Sequence, residues 1–113
     1  MDSQERRAVI DDEVVVLDET IHQSTRLRIM TMLVSQGKGD RVAYGFIQKT
    51  LGLTGGNLTT HLRKLEAAEY LAMVKEESGN SRPHTWVKAT AEGRRAYGEY
   101  LANLERVLGV MRG

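Results

Sequence analysis

Residues 54–70 read Thr54-Gly-Gly-Asn-Leu-Thr-Thr-His-Leu-Arg-Lys-Leu-Glu-Ala-Ala-Glu-Tyr70, and this pattern predicts an amphipathic helix over residues 54–69. Thr54 is a favourable N-cap, because its hydroxyl can accept a hydrogen bond from an unpaired N–H group of the first helical turn. Leu58, Leu62 and Leu65 recur at spacings of four and three, which places them on one face. We therefore expect this helix to bury its leucine face.

The opposite face of this helix is small and polar near its start and carries cations further along. At about 100° per residue, Gly56, Thr60 and Arg63 lie opposite the leucines, with Thr59 and Lys64 beside them. Hydroxyl and amide groups can meet base edges in a major groove, and cations can meet guanine or phosphate. An ordinary solvated helix surface is the alternative interpretation, so this face alone leaves the function open.

Two further helices are predicted before this one. The first extends over residues 24–36 with Ser24 as its N-cap, and its apolar residues cover more than half of its circumference, as in a central core helix. The second extends over residues 44–51. Its inward side chains are predicted to be Phe46, Ile47 and Leu51. A short turn containing glycine then leads into helix 54–69, which is the pattern of a helix-turn-helix unit.

After Tyr70 the apolar pattern changes to a period of two. Residues 71–75 and 84–88 each alternate in this way and predict two strands. Turn-forming residues between them predict a hairpin whose wing covers residues 76–84. The core residues behind this wing are predicted to be Met73 and Trp86.

A last helix is predicted from residue 91 to about residue 111, with Thr90 as its N-cap. The order helix, helix, turn, helix, hairpin, helix indicates a mainly α fold with a small β-hairpin (α+β). We expect a winged helix-turn-helix over residues 17–113 with a long C-terminal helix. Residues 1–16 are interpreted as an acidic leader.

Charge is distributed unevenly along the chain, although its sum is only +1. The first 20 residues hold seven acids and two arginines, so residues 21–113 hold 14 Lys or Arg and eight acids, a net charge of +6. A basic body is expected of a nucleic-acid-binding domain, since each cation that meets a phosphate adds affinity.

Several classes of function find no support in the sequence. The chain contains no cysteine, which excludes disulfides and thiolate chemistry. Its longest apolar run is residues 14–17, too short to span a membrane, and no signal peptide is evident, so we expect a cytoplasmic protein. The three histidines are scattered, and the glycines of residues 52–57 lack the pattern of a phosphate loop. We therefore expect no enzyme activity, metal site or cofactor.

Three segments carry a resemblance to a known family: Leu17-Asp-Glu-Thr-Ile-His-Gln-Ser-Thr-Arg-Leu-Arg-Ile-Met30, Asn57-Leu-Thr-Thr-His-Leu-Arg-Lys-Leu-Glu-Ala-Ala-Glu-Tyr-Leu71 and Arg82-Pro-His-Thr-Trp-Val-Lys-Ala-Thr-Ala-Glu-Gly-Arg-Arg-Ala-Tyr97. In this order and spacing they resemble small winged-helix transcriptional regulators of the MarR/ArsR-like group. The resemblance implies a dimeric prokaryotic DNA-binding regulator, usually a repressor. Two positions depart from the family pattern: Glu69 replaces a frequent glycine, and Ser24 a frequent proline.

The expected partner is double-stranded DNA, with helix 54–69 in the major groove and the wing on the flanking backbone or minor groove. The residues predicted to contact DNA are Thr54, Gly56, Asn57, Thr59, Thr60, His61, Arg63 and Lys64 on the helix, and Asn80, Ser81 and Arg82 on the wing. A protein–protein interaction module is the alternative. It would favour an apolar or acidic outer face over residues 54–67, which the sequence does not have.

The last helix also carries a heptad pattern, which predicts a homodimer. The predicted interface consists of Tyr97, Leu101, Leu104, Leu108 and Met111, widened on one side by Tyr100 and Val107. The alternative is that residues 14–17 of the leader cover part of this stripe. A cleft beside the helix could hold a small-molecule effector, but no residue identifies one.

Overall fold

The structure is a computed structural model that describes residues 5–10, 13–77 and 83–112. In chain order, its elements are β1 (Glu5–Ile10), β2 (Glu13–Asp18), α1 (Ser24–Val34), β3 (Val42–Ala43), α2 (Tyr44–Leu51), α3 (Gly55–Ala67), β4 (Leu71–Glu76), β5 (His84–Ala89) and α4 (Ala91–Arg112). This order, with its helices and small antiparallel sheet, confirms the predicted α+β winged helix. None of the described helices is long and apolar enough to cross a membrane.

The two strands that flank the wing, β4 and β5, belong to a three-stranded antiparallel sheet in the order β3-β5-β4. In its register Leu71 lies opposite Ala89 and Glu76 opposite His84. Since side chains alternate along a strand, one face of the sheet turns toward the helices. The buried residues that form the common core include Leu71, Val87 and Ala89 of the sheet and Ile29, Met30, Leu33, Ile47, Leu58, Leu62 and Leu65 of the helices.

Helix α3 begins and packs as predicted. The Oγ1 atom of Thr54 accepts a hydrogen bond from the Asn57 N–H at 3.1 Å, and the three leucines of the predicted stripe are fully buried. At its other end, the Tyr70 N–H donates to the Leu65 carbonyl at 2.9 Å, the bond that closes a Schellman motif. Glu69 accordingly has a φ of 66°. This left-handed conformation explains why glycine is frequent at that position in the resembled family.

Helix α1 differs from the prediction at both ends. Its N-cap is Gln23, whose side chain accepts from the Arg26 N–H at 2.8 Å, so Ser24 is the first helical residue instead of the cap. The helix ends at Val34, earlier than predicted. Beyond that end, the Arg94 guanidinium of α4 donates to the carbonyls of Val34, Gln36 and Gly37, which satisfies acceptors that a helix terminus leaves unpaired.

Two aromatic residues predicted to face the core do not. Phe46 is 59% exposed, because α2 turns only one narrow face toward the core. Trp86 lies beside the inward-facing Val87 in β5 and therefore on the opposite face of the sheet. There the Arg41 guanidinium covers its ring, with Cζ 4.5 Å from the ring centroid.

The predicted leader contains an antiparallel hairpin of β1 and β2. Val15 and Leu17 of β2 are buried in the common core, and the Val16 carbonyl accepts a hydrogen bond from Asn103 Nδ2 of α4 at 3.3 Å. The boundary drawn between residues 16 and 17 therefore lies inside a strand that packs against the winged body.

Helix α4 begins against the turn that ends α3. The Thr90 Oγ1 atom accepts from the Gly93 N–H at 2.9 Å, which confirms the predicted N-cap. The Thr90 hydroxyl also donates to the Glu69 carbonyl at 2.6 Å. Gly93 is needed for this approach, because a Cβ atom there would lie 1.9 Å from the Tyr70 carbonyl oxygen.

We expect Gly93→Ala to lower the free energy of unfolding by about 3 kcal/mol, because the added methyl group must push α4 away from the Tyr70 backbone. Gly98→Ala is the matched control on the same helix, where a Cβ atom meets no described atom within 4 Å. It should raise stability by about 0.5–1 kcal/mol through helix propensity alone. Urea unfolding of both variants measures the difference. Equal effects would contradict the close contact.

Glu69→Gly should raise the free energy of unfolding by up to about 1 kcal/mol, since it relieves the left-handed strain at this residue. Part of that gain is offset by the greater freedom of glycine in the unfolded chain. Ala68→Gly provides the control, because Ala68 has an ordinary φ of −81°, and should be destabilising. A Glu69→Gly protein that melts below the parent would refute the argument.

Candidate nucleic-acid interface

The face of α3 opposite the buried leucines is exposed, as predicted. Gly56, Asn57, Thr60, Arg63 and Lys64 all lie on the surface. A Cβ atom at Gly56 would meet no described atom within 4 Å, so this glycine leaves room outside the protein and not toward a neighbouring element. Thr60 Oγ1 donates to the Gly56 carbonyl at 2.9 Å, which leaves its oxygen as an acceptor. The face offers small polar groups followed by two cations.

The exposed N-terminus of α3 adds to this character. Thr54 is exposed and caps the helix, and no acid occupies the first turn. Backbone N–H groups and the helix dipole make such an end favourable for an anion. The N-terminus of α3 and the polar and basic side chains that follow it therefore favour the same kind of ligand, one that carries negative charge.

Thr59 has a more internal role than the sequence suggested. The Tyr44 hydroxyl of α2 donates its proton to the Gly55 carbonyl at 2.8 Å. Because that proton is used, Thr59 must be the donor in the 2.8 Å bond between its Oγ1 atom and the Tyr44 oxygen. This bond joins α2 to the first turns of α3, so Thr59 holds the helix-turn-helix together beside the exposed face.

His61 is partly buried at the edge of the same face. Its Nδ1 atom lies 3.1 Å from Nη1 of Arg26, which belongs to α1. Burial lowers the pKa of His61, and the nearby cations Arg26 and Lys64 lower it further. Both effects favour the neutral form of the imidazole.

A cleft of about 490 Å³ lies between α3 and the strands β4 and β5. Its lining residues are Tyr44, Thr59, Arg63, Glu66, Met73, Lys75 and Thr85. Lys75 and Thr85 lie opposite each other in the register of β4 and β5, and neither was predicted to be part of the site. Strand alternation was the signal that could have found them, because Lys75 is two residues from the inward-facing Met73.

The wing is tied to the rest of the fold at its base. Arg41 donates two hydrogen bonds to the carboxylate of Glu76, at 2.7 and 2.9 Å, while stacking on Trp86. The bonds from Arg41 lower the pKa of Glu76. The predicted wing contacts Asn80, Ser81 and Arg82 lie outside the described residues.

The predicted dimer interface divides into exposed and covered residues. Leu101 and Leu108 are each 42% exposed, whereas Tyr97, Leu104 and Val107 are partly buried against the core. Tyr100 is only 2% exposed, and its hydroxyl lies 2.6 Å from Nδ1 of His22, so it belongs to the core of its own chain and is unavailable to a partner. The side chain of Met111 lies outside the described part of the structure.

Among the described residues, no three His, Cys, Asp or Glu side chains come together as metal ligands would. The potential chemistry of the surface is that of binding: hydrogen-bond donors and acceptors, cations and a helix N-terminus.

Comparison with known proteins agrees with this geometry. A family model described as a winged helix DNA-binding domain matches residues 25–108. The solved structure of a transcriptional regulator homologue from Pyrococcus horikoshii OT3 is 31% identical, with a TM-score of 0.69, over 80% of this chain and 85% of that one. None of the curated proteins compared with the sequence matches it significantly.

Two more distant structures share the fold. A PadR-like transcription factor from Bacteroides fragilis is 22% identical, with a TM-score of 0.61, over 74% of this chain and 82% of that one. A protein with a GntR superfamily winged-helix-turn-helix domain from Halomicrobium mukohataei is 20% identical, with a TM-score of 0.57, over 77% of this chain and 65% of that one. The family is one of DNA-binding domains, and the printed names of the Pyrococcus and Bacteroides proteins refer to transcription and not to catalysis. Since the family model covers most of the sequence, the chain belongs to the winged helix DNA-binding domain family.

Proposed function

We propose that this protein is a sequence-specific double-stranded DNA-binding regulator that acts as a homodimer and represses transcription. The observation that carries the proposal is the exposed face of α3, where Thr60, Arg63 and Lys64 follow a glycine that leaves space for close approach. Small polar groups near the N-terminus of a recognition helix and cations behind them suit a major groove. The resemblance to MarR/ArsR-like regulators supports the repressor role.

The cleft between α3 and the strands β4 and β5 fits the sugar–phosphate backbone that borders the groove. Lys75 supplies a cation and Thr85 a hydroxyl, both on the strand side of the cleft. Contacts of this kind position a protein on the duplex without reading its sequence. Lys75 and Thr85 therefore join the proposed interface, and the wing tip extends it along the flanking DNA.

Homodimerisation is supported by a side of α4 that the described residues leave uncovered. Leu101 and Leu108 are seven residues apart and so lie on one stripe of the helix. The hairpin meets α4 on a different side, through the bond between Asn103 and the Val16 carbonyl. A second α4 packed along the leucine stripe would bury apolar surface that otherwise faces water.

Two-fold pairing through α4 has a consequence for the DNA site. Symmetry would place the two α3 helices on successive major grooves of one duplex face, about 34 Å apart. The operator should then be a near-palindrome. Selection of bound sequences from random duplex DNA tests both ideas together: an enriched palindrome is expected, and the absence of any enriched sequence would refute specific binding.

On the selected operator, Arg63→Ala should cost about 1–3 kcal/mol of binding free energy and relax base preference at one position, because a bidentate base contact is lost. Lys64→Ala should weaken all duplexes about equally and reduce the salt dependence, as expected for a phosphate contact. Fluorescence anisotropy over a salt series measures both effects.

Arg95→Ala is the control for these variants, because it removes the same charge from α4, where Glu92 and Glu99 bind the guanidinium. Its affinity should stay close to that of the parent. If the variants at Arg63 and Lys64 bind no worse than this control, the proposed face of α3 is wrong.

The double variant Leu101→Glu/Leu108→Glu should be a folded monomer that binds the operator far more weakly, since two carboxylates would be buried in the dimer seam. Light scattering at micromolar concentration gives the mass, and circular dichroism the fold. Ala102→Glu is the matched control: it adds a carboxylate at an exposed position of α4 away from the stripe. A parent protein that is itself a monomer would contradict the model.

A further inference from the structure

The contact between His61 and Arg26 has a chemical consequence for the DNA-binding face. The Nη1 atom of Arg26 lies 3.1 Å from Nδ1 of His61. An arginine side chain has only hydrogen-bond donors, so Nδ1 must be the acceptor in this bond. In a neutral imidazole, when Nδ1 accepts, the proton is on Nε2. The neighbouring helix thus selects one of the two tautomers of a residue in α3.

Arg26 is itself held in place by the turn that leads into α1. Its Nε–H donates to the Thr20 carbonyl at 2.6 Å, and its backbone N–H donates to the Gln23 side chain at 2.8 Å. Asp18 stabilises this turn, because its Oδ1 atom accepts a hydrogen bond from the Thr20 N–H at 2.9 Å. The guanidinium that meets His61 through Nη1 is therefore anchored through Nε by a backbone carbonyl.

The charges around His61 favour the same neutral form. Arg26 of α1 and Lys64 of α3 are the charged groups that act on it, and both lower its pKa, while Glu19 acts on Arg26. A protonated ring would present an N–H group to the Arg26 donor and would lose the bond. Nε2 keeps its proton on the side of the ring away from Arg26. Lys64 is three residues further on, a neighbour on the helix surface.

We propose that Arg26 is a positioning residue that holds His61 as the Nε2–H tautomer, so that His61 and Lys64 together donate to one phosphate of the DNA backbone. This inference rests on the proposed DNA-binding function and assigns a role to an arginine of α1 outside the helix-turn-helix. The neutral Nε2–H group of His61 fixes the direction of the contact to the phosphate, and the ammonium group of Lys64 supplies the charge. Arg26 acts only through His61.

Nitrogen-15 NMR of the free protein at pH 7 tests the first half of the proposal without DNA. The ring nitrogens of His61 should show the Nε2–H tautomer in the parent and in Arg28→Met, which removes an exposed arginine from the same helix. In Arg26→Met the tautomers should mix, and the pKa of His61 should move up toward its ordinary value. Circular dichroism and the melting temperature of each variant report whether its fold is intact.

Binding to the selected operator tests the second half. His61→Gln places an amide N–H near the position of Nε2, whereas His61→Asn places one near Nδ1. The Gln variant should keep affinity within about threefold, and the Asn variant should lose about tenfold, the usual effect of one charge-assisted hydrogen bond.

Arg26→Met should lose about tenfold relative to Arg28→Met, which has the same net charge. Arg26→Lys replaces the Met variant in this test if the Met variant has a lowered melting temperature. It should also lose affinity, because lysine lacks the guanidinium fork that reaches both the Thr20 carbonyl and His61.

Each result decides a different point. A Nδ1–H tautomer in the parent, or a tautomer unchanged in the folded Arg26 variants, overturns the positioning role. Equal affinities of the Gln and Asn variants overturn the phosphate contact, although the protein would still be a DNA-binding regulator. If the parent binds no duplex, the proposed function fails, while the NMR result still decides whether Arg26 fixes the tautomer.

Discussion

The arrangement of the other elements depends on the contacts made by the turn at Glu69 and Tyr70. It ends α3 in a left-handed residue and starts β4 at once. The Tyr70 carbonyl accepts from the Thr90 N–H at 3.1 Å, and Gly93 lets α4 approach that carbonyl closely. The Tyr70 hydroxyl donates to Asp18 at the end of β2, and burial together with this bond raises the pKa of the tyrosine, so it stays a neutral donor. One turn thus joins α3, the strand β4, α4 and the N-terminal hairpin.

Local signals in the sequence predicted the elements that local physics determines. The bounds of α2, the Thr54 cap and the buried leucines of α3 were all confirmed, because caps and apolar spacing act within one element. The predictions were wrong where the burial of a side chain depends on a neighbour from another element. Phe46 has the polarity of a core residue but no neighbour to cover it, and Trp86 packs under Arg41, which is distant in sequence. The pairing of β1 with β2 was missed because acidic composition concealed the strand pattern of residues 14–17.

The candidate site likewise has features that the sequence of one helix predicts and features that depend on other helices. Exposure along α3 follows from helical periodicity, so the outward positions of Thr60, Arg63 and Lys64 could be predicted from the sequence. The contacts that adjust the site could not, since Tyr44 and Arg26 reach it from other helices. In α4, the apolar stripe mixes two roles. A heptad pattern cannot separate the side chains that cap the chain's own core from those that remain exposed, which is why Tyr100 was grouped with Leu101.

Helix α4 belongs to both the folded body and the proposed dimer, and this has a consequence for the spacing of the two α3 helices in that dimer. Its first turns are fixed by the Tyr70 turn and by Arg94, which bonds the carbonyls beyond the end of α1. Its later turns carry the exposed leucine stripe on the same continuous helix. A rigid helix transmits a rotation from one end to the other, since its hydrogen bonds leave no hinge. A change in how two α4 helices pack would therefore shift the two α3 helices relative to one another, and the interface far from DNA would set how well the dimer fits its operator.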